Sequence, residues 1–122
     1  MILVNFLLFI VLPNFYGKTL ISLFGLTQHA GLQENIKDHR YTTRTVILNP
    51  IFSFLYWHME YHVEHHMFPQ VPSHNLKKLH ALIKDQMPPA RKGLWGAYKE
   101  IIPALVKQAK DPNYKIPLAV PS

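Results

Sequence analysis

His58-Met59-Glu60-Tyr61-His62-Val63-Glu64-His65-His66-Met67-Phe68-Pro69 is the stretch on which the reading of this chain turns. Asn49-Pro50 supplies an N-cap followed by proline at the first helical position, so a helix is predicted from Pro50 to about His66, ending before Phe68-Pro69. On a helix, residues three and four apart share a face. His62 and His66 then stack one turn apart with His65 beside them, and His58 adds a fourth imidazole one turn earlier. Neutral imidazoles gain little by packing together, because each brings a donor and an acceptor that burial strands, and protonated ones repel. A transition metal removes the conflict, since neutral imidazole is a preferred nitrogen donor.

The spacing excludes several metal chemistries. A zincin needs His-Glu-x-x-His, but Met59 follows His58 and Val63 follows His62. The inverted order His-x-x-Glu-His fails because His65 stands where the glutamate belongs. Soluble di-iron bundles use Glu-x-x-His pairs, whereas Glu60 is followed three residues later by Val63 and Glu64 by Met67. Glu64 falls off the ligand face and is expected either to orient a histidine from outside or to sit exposed. His39, His74 and His80 have no partner at ligand spacing and are expected to be hydrogen-bonded or exposed.

Upstream, residues 1–32 hold one ionisable cation, Lys18, and no carboxylate. Residues 1–12 read as an apolar helix stopped by Pro13, 14–18 as a turn, and 19–32 as a second apolar stretch whose end turns polar at Thr27, Gln28 and His29. Two apolar segments joined by a short turn predict a membrane helical hairpin, here truncated, since twelve residues fall short of the roughly 20 that span a bilayer. No basic n-region or small-residue cleavage site marks a signal peptide. The polar segment 33–45 should lie outside hydrocarbon, while Tyr56, Trp57 and Tyr61 suit interfacial depth.

Downstream, Ser73 is read as the cap of a helix over 74–86, with Leu76, Leu79 and Ile83 in one stripe and Lys77, Lys78 and Lys84 away from it. Such a helix fits either a membrane surface or the flank of the same protein. A helix over 95–110 is expected to break at Pro103, and 111–122 to be loosely structured. Residues 73–122 carry nine Lys/Arg against three Asp/Glu, so nearly all of the net charge of +6 comes from this tail. A basic segment beside an apolar one fits a cytoplasmic, membrane-adjacent surface. Sparse aromatics argue against nucleic acid as a partner. With no cysteine, disulfides, zinc ribbons and iron–sulfur ligation are excluded within the chain.

His62-Val-Glu-His65-His66-Met-Phe68-Pro69 resembles the third histidine box, HxxHH, of membrane fatty acid desaturases, trailing Phe-Pro included. Thr27-Gln28-His29-Ala30-Gly31-Leu32 resembles the single-histidine segment that precedes that box. Asp38-His39-Arg40 through Thr45, and Val71-Pro72-Ser73-His74-Asn75-Leu76, resemble bacterial members. The resemblance covers about residues 20–90 and implies His29, His62, His65 and His66 as metal ligands. His58 joins them as a fifth candidate, although relatives commonly carry Asn there. It also implies a non-haem centre of two irons, O2 as co-substrate, a fatty acyl substrate, and electrons from a donor protein such as ferredoxin or cytochrome b5. The protein would then be integral to the lipid bilayer, with metal site and C-terminus on the cytoplasmic side. A related hydroxylase or ketolase, or a non-enzymatic metal-binding remnant, stays open.

The expected fold class is all-α in three parts. Residues 1–33 form the membrane hairpin ending in the single-histidine segment, 34–72 a linker and the histidine-box helix, and 73–122 a basic amphipathic cytoplasmic region. Two earlier histidine boxes typical of the family are missing from these residues, so the domain reads as incomplete. Purified chain supplied with iron, reductant and a fatty acyl substrate is therefore expected to form no product, as product analysis by mass spectrometry would show.

Overall fold

A computed structural model describes residues 1–121. The fold is all-α apart from one pair of two-residue strands. The first helix, α1, runs from Ile2 to His29 without interruption. At about 1.5 Å per residue its 28 residues extend about 42 Å, longer than a bilayer's hydrocarbon core. Among the described residues it is the one helix long and apolar enough to cross a membrane, and its apolar side chains are largely uncovered by the rest of the chain.

The expected hairpin is thus corrected to a single helix, and the physical reason lies in how Pro13 is absorbed. A proline inside an α-helix clashes with the carbonyl four residues back and withholds one donor. Here the turn Leu7–Val11 widens to π geometry, with the Leu12 amide reaching back to the Leu7 carbonyl. That slack gives the proline ring room. Polar side chains in and just after the segment read as a turn are satisfied by the helix itself: Asn14 Nδ2 donates to the Ile10 carbonyl at 2.8 Å, and Thr19 Oγ1 to that of Phe15 at 2.7 Å.

The chain then returns along the end of α1 through a short helix α2 (His39–Thr42) and strand β1 (Val46–Ile47). Helices α3 (Pro50–Leu55), α4 (His62–Met67) and α5 (Leu76–Ile83) follow, then β2 (Arg91–Lys92) and α6 (Gly93–Lys110). Asn49 caps α3 as read from sequence, accepting from the Phe52 amide at 2.9 Å. The single helix expected from Pro50 to His66 is corrected: it breaks at Trp57 and His58, both in left-handed backbone, and restarts at His62. Ser73 does not cap α5 but lies in a tight 3-10 turn, Ser73–Asn75, that leads into it. Leu76 of α5 is fully buried while Lys77, Lys78 and Lys84 are exposed. Nor does Pro103 break α6, because it sits on the exposed face, where water can serve the carbonyl it leaves free.

Strands β1 and β2 pair in parallel, Val46 opposite Arg91 and Ile47 opposite Lys92. Ala97, Ile101 and Ala104 form the buried stripe of α6. The first two pack with Val46, and Ala104 packs with Leu32 and Ile116. The tail, expected to be loose, docks by this contact and by the Ile116 amide donating to the Gly31 carbonyl at 2.8 Å. Gly31 has φ +78°, and a Cβ there would lie 2.7 Å from Ile116 Cδ1. Gly31→Ala should therefore cost about 2 kcal/mol or more in stability, read from unfolding in detergent, and combined with Ile116→Ala it should cost less than the sum of the two single substitutions.

Candidate metal centre

Three elements meet at the C-terminal end of α1. The last four carbonyls of a helix lack partners within it, and here Arg44 takes two of them. Its side chain, 3% exposed, donates to the Thr27 carbonyl at 2.6 Å and to that of Ala30 at 3.3 Å. Its backbone amide donates to the Gln28 carbonyl at 2.8 Å. A guanidinium this buried needs a counter-charge. Glu100 on α6 supplies it at 3.3 Å and also receives two hydrogen bonds from Arg91, each 2.8 Å. Those Arg91 bonds, with the Arg44 charge behind them, hold the Glu100 carboxyl below the ordinary carboxylate range. Gln28 adds a link to the corner before α4, its Nε2 donating to the Met59 carbonyl at 2.6 Å.

This clamp sets His29 against α4. His29 Nε2 lies 2.9 Å from His62 Nε2, which lies 3.1 Å from His66 Nε2. One potential ligand atom from each of the three falls within 4.8 Å of the others. The hydrogen-bond pattern assigns the tautomers. His29 Nδ1 faces the Thr42 carbonyl at 3.2 Å and so carries the proton, leaving its Nε2 lone pair free. His62 Nε2 has one lone pair or one proton and cannot bond both neighbours. If it is protonated, its Nδ1 lone pair is stranded, since that buried atom has no hydrogen-bond partner. A cation among the three Nε2 atoms would remove this conflict, so the donor set fits a metal that accepts neutral imidazole.

Burial pushes the His62 imidazole down to about 3, helped by repulsion from His66, His29 and His65. His66 is lowered by burial and by its neighbours His39, His29 and His65. Both shifts favour the neutral imidazole.

His65 lies at the margin, its ring centroid 5.9 Å from those of both His62 and His66. His58 is not with the cluster: its Nδ1 is 2.8 Å from Ser53 Oγ, and it borders a pocket with Trp57, Ser73 and His74. His39 stacks on His66 with centroids 5.0 Å apart, a contact across 27 residues that no spacing rule reveals. Glu64 is fully buried. It accepts from Thr45 Oγ1 at 2.6 Å and pairs with His80 Nδ1, so it anchors α4 to the residue before β1 and to α5 and does not hold a histidine of the cluster. A charged residue inside the box was its only signal in the sequence; its partners Thr45 and His80 carry none.

An apolar cleft of about 480 Å³ lies between Tyr16, Gly17, Leu20 and Phe24 of α1 and Leu55, Tyr56, Trp57 and Met59. Two of its lining residues, Phe24 and Tyr56, pack together at 4.7 Å between ring centroids.

The family model described as fatty acid desaturase matches residues 1–98, about four-fifths of the chain. The protein belongs to the fatty acid desaturase family. Neither a curated protein nor a solved structure matches it. Family and fold together mark it as an oxidoreductase-family chain associated with a membrane.

In the metal-free chain His62 should stay neutral well below the ordinary histidine range, and ¹⁵N-histidine NMR in detergent should show its ring unprotonated at pH 5. The sign follows from linkage: between about 6.5 and 3 the unfolded chain binds the proton that folded His62 refuses. Stability should accordingly be unaffected by His62 above pH 6.5 and should fall as pH drops through that window.

Proposed function

We propose that this chain supplies one wall of a non-haem di-iron site in a membrane desaturase that removes hydrogen from an unactivated C–H of a fatty acyl chain. The meeting of three Nε2 atoms from two sequence segments 33 residues apart carries this reading. His29, His62 and His66 would hold metal, with His65 alongside. Iron bound there, with O2 as co-substrate and electrons from a carrier such as ferredoxin or cytochrome b5, supplies the oxidising power for C–H cleavage.

The residues of the chain do the rest. Thr42 keeps the His29 proton on Nδ1, presenting the Nε2 lone pair. Burial keeps His62 uncharged. Glu64, fixed by Thr45 and His80, stops α4 from rolling. The cleft along α1 offers an apolar bed for an alkyl chain. Desaturation and hydroxylation share the first hydrogen removal, and the position of the substrate carbon relative to the metal decides between them. The metal site and the basic C-terminal region would face the cytoplasm, as the excess of Lys/Arg in residues 73–122 supports.

Three or four imidazoles fill one iron site at most, so this reading requires further donors from other polypeptide. The assembled protein should bind two irons per chain by metal analysis. His62→Ala or His66→Ala should abolish iron retention and product formation, while His80→Ala should lower stability by about 3 kcal/mol with the iron kept. Bound zinc in place of iron, or iron retained after both histidine substitutions, would falsify the proposal.

A further inference from the structure

The metal reading leaves a second buried polar cluster unused. Trp57 and His58 both take left-handed backbone, φ 56° and 58°. Neither is glycine, and each such residue costs about 1–2 kcal/mol, so two in succession persist only where the surroundings hold them. What holds them is Ser53, 8% exposed, and Glu60, 2% exposed. The Ser53 hydroxyl donates to the Glu60 carboxylate. Its single proton being committed there, Ser53 Oγ must accept at its other contact, so His58 donates its Nδ1–H across 2.8 Å. The backbone repeats the link, the His58 amide donating to the Ser53 carbonyl at 2.9 Å.

The corner so fixed has two effects at the histidine cluster. It frees the Met59 carbonyl, which a continuous helix would have bonded to residue 63, and aims it at Gln28 Nε2. Gln28 immediately precedes His29. It also turns the Glu60 carbonyl to the Val46 amide at 3.1 Å and starts α4 afresh at His62. In the unbroken helix His58 and His62 would share a face; in the observed corner His58 faces Ser53 and His62 faces His29.

We infer that His58 is a positioning residue. Through Ser53 and Glu60 it locks the left-handed corner that aims the Met59 carbonyl at Gln28 and thereby sets His62 against His29. This deepens the metal reading above and rests on it for its consequence, though the corner itself does not require a metal. Asparagine is the informative replacement, because its side-chain N–H can stand in for Nδ1–H and it tolerates left-handed backbone better than most residues.

The test compares the unsubstituted chain in detergent micelles with Ser53→Ala, His58→Ala and His58→Asn. Cobalt(II) chloride titration is followed by visible absorption, and amide hydrogen exchange of residues 56–62 is measured without metal. His58→Ala and Ser53→Ala should weaken cobalt binding about 10-fold or more and speed exchange across the corner, whereas His58→Asn should resemble the unsubstituted chain in both. If His58→Asn loses cobalt as fully as His58→Ala while its corner stays protected, His58 is a ligand and the inference is overturned. Unchanged cobalt affinity and exchange in all the variants would overturn it too. Should the unsubstituted chain bind no cobalt, its own imidazoles do not hold metal without those further donors, and exchange decides alone. Protection lost in the alanine variants and kept in His58→Asn sustains the locked corner; equal protection throughout refutes it.

Discussion

A helix leaves its last carbonyls without donors, and where that end is buried something must cover them. At the end of α1 the cover is Arg44, and nearly everything else about the site follows from that choice. A buried guanidinium demands an anion, which brings in Glu100 and with it α6. Glu100 in turn recruits Arg91, whose strand pairs with β1 and so completes a loop back to Arg44. His29 is the last residue of α1, so the clamp that satisfies the helix terminus also fixes where the first imidazole stands. The C-terminal region, which has no histidine in the cluster, therefore contributes to its geometry through charge.

The same logic governs α4 from the other side. Buried Glu64 is held by a hydroxyl and an imidazole from two different elements, and Met59 is held by Gln28 from a third. Each has its partner more than 15 residues away in sequence. Fully paired networks of this kind specify one arrangement of helices more sharply than apolar packing does. The apolar clusters here are small, two of three buried residues each, so alignment falls to the polar contacts.

What could be read from sequence was local. The histidine spacing put His62 and His66 one turn apart, and they are. The apolar start, the Asn49 cap and the α5 stripe were legible for the same reason, as each is a pattern within one element. The failures were of two kinds. At Pro13, at Pro103 and along 50–66, tertiary or helical context overrides propensity, through a widened turn, an exposed face and a serine–glutamate pair. The remaining features, such as His39 on His66, Arg44 on α1 and the docked tail, depend on residues far apart and have no signature in spacing. His58 shows both at once, since its predicted place on the histidine face assumed a helix that its own hydrogen bond to Ser53 helps to break.

The widened turn near the start of α1 has a geometric corollary. Accommodating one extra residue in a turn advances the azimuth of every side chain on its far side by about 100° relative to an unbroken helix. The flank presented by Ile2–Phe6 is thus not the upward continuation of the flank that carries Phe24 and Gln28 toward the histidines. Any helix lying along α1 would meet two differently oriented surfaces, one above Leu7–Val11 and one below. Neighbours approaching from separate directions could each find a matching ridge on a single rod.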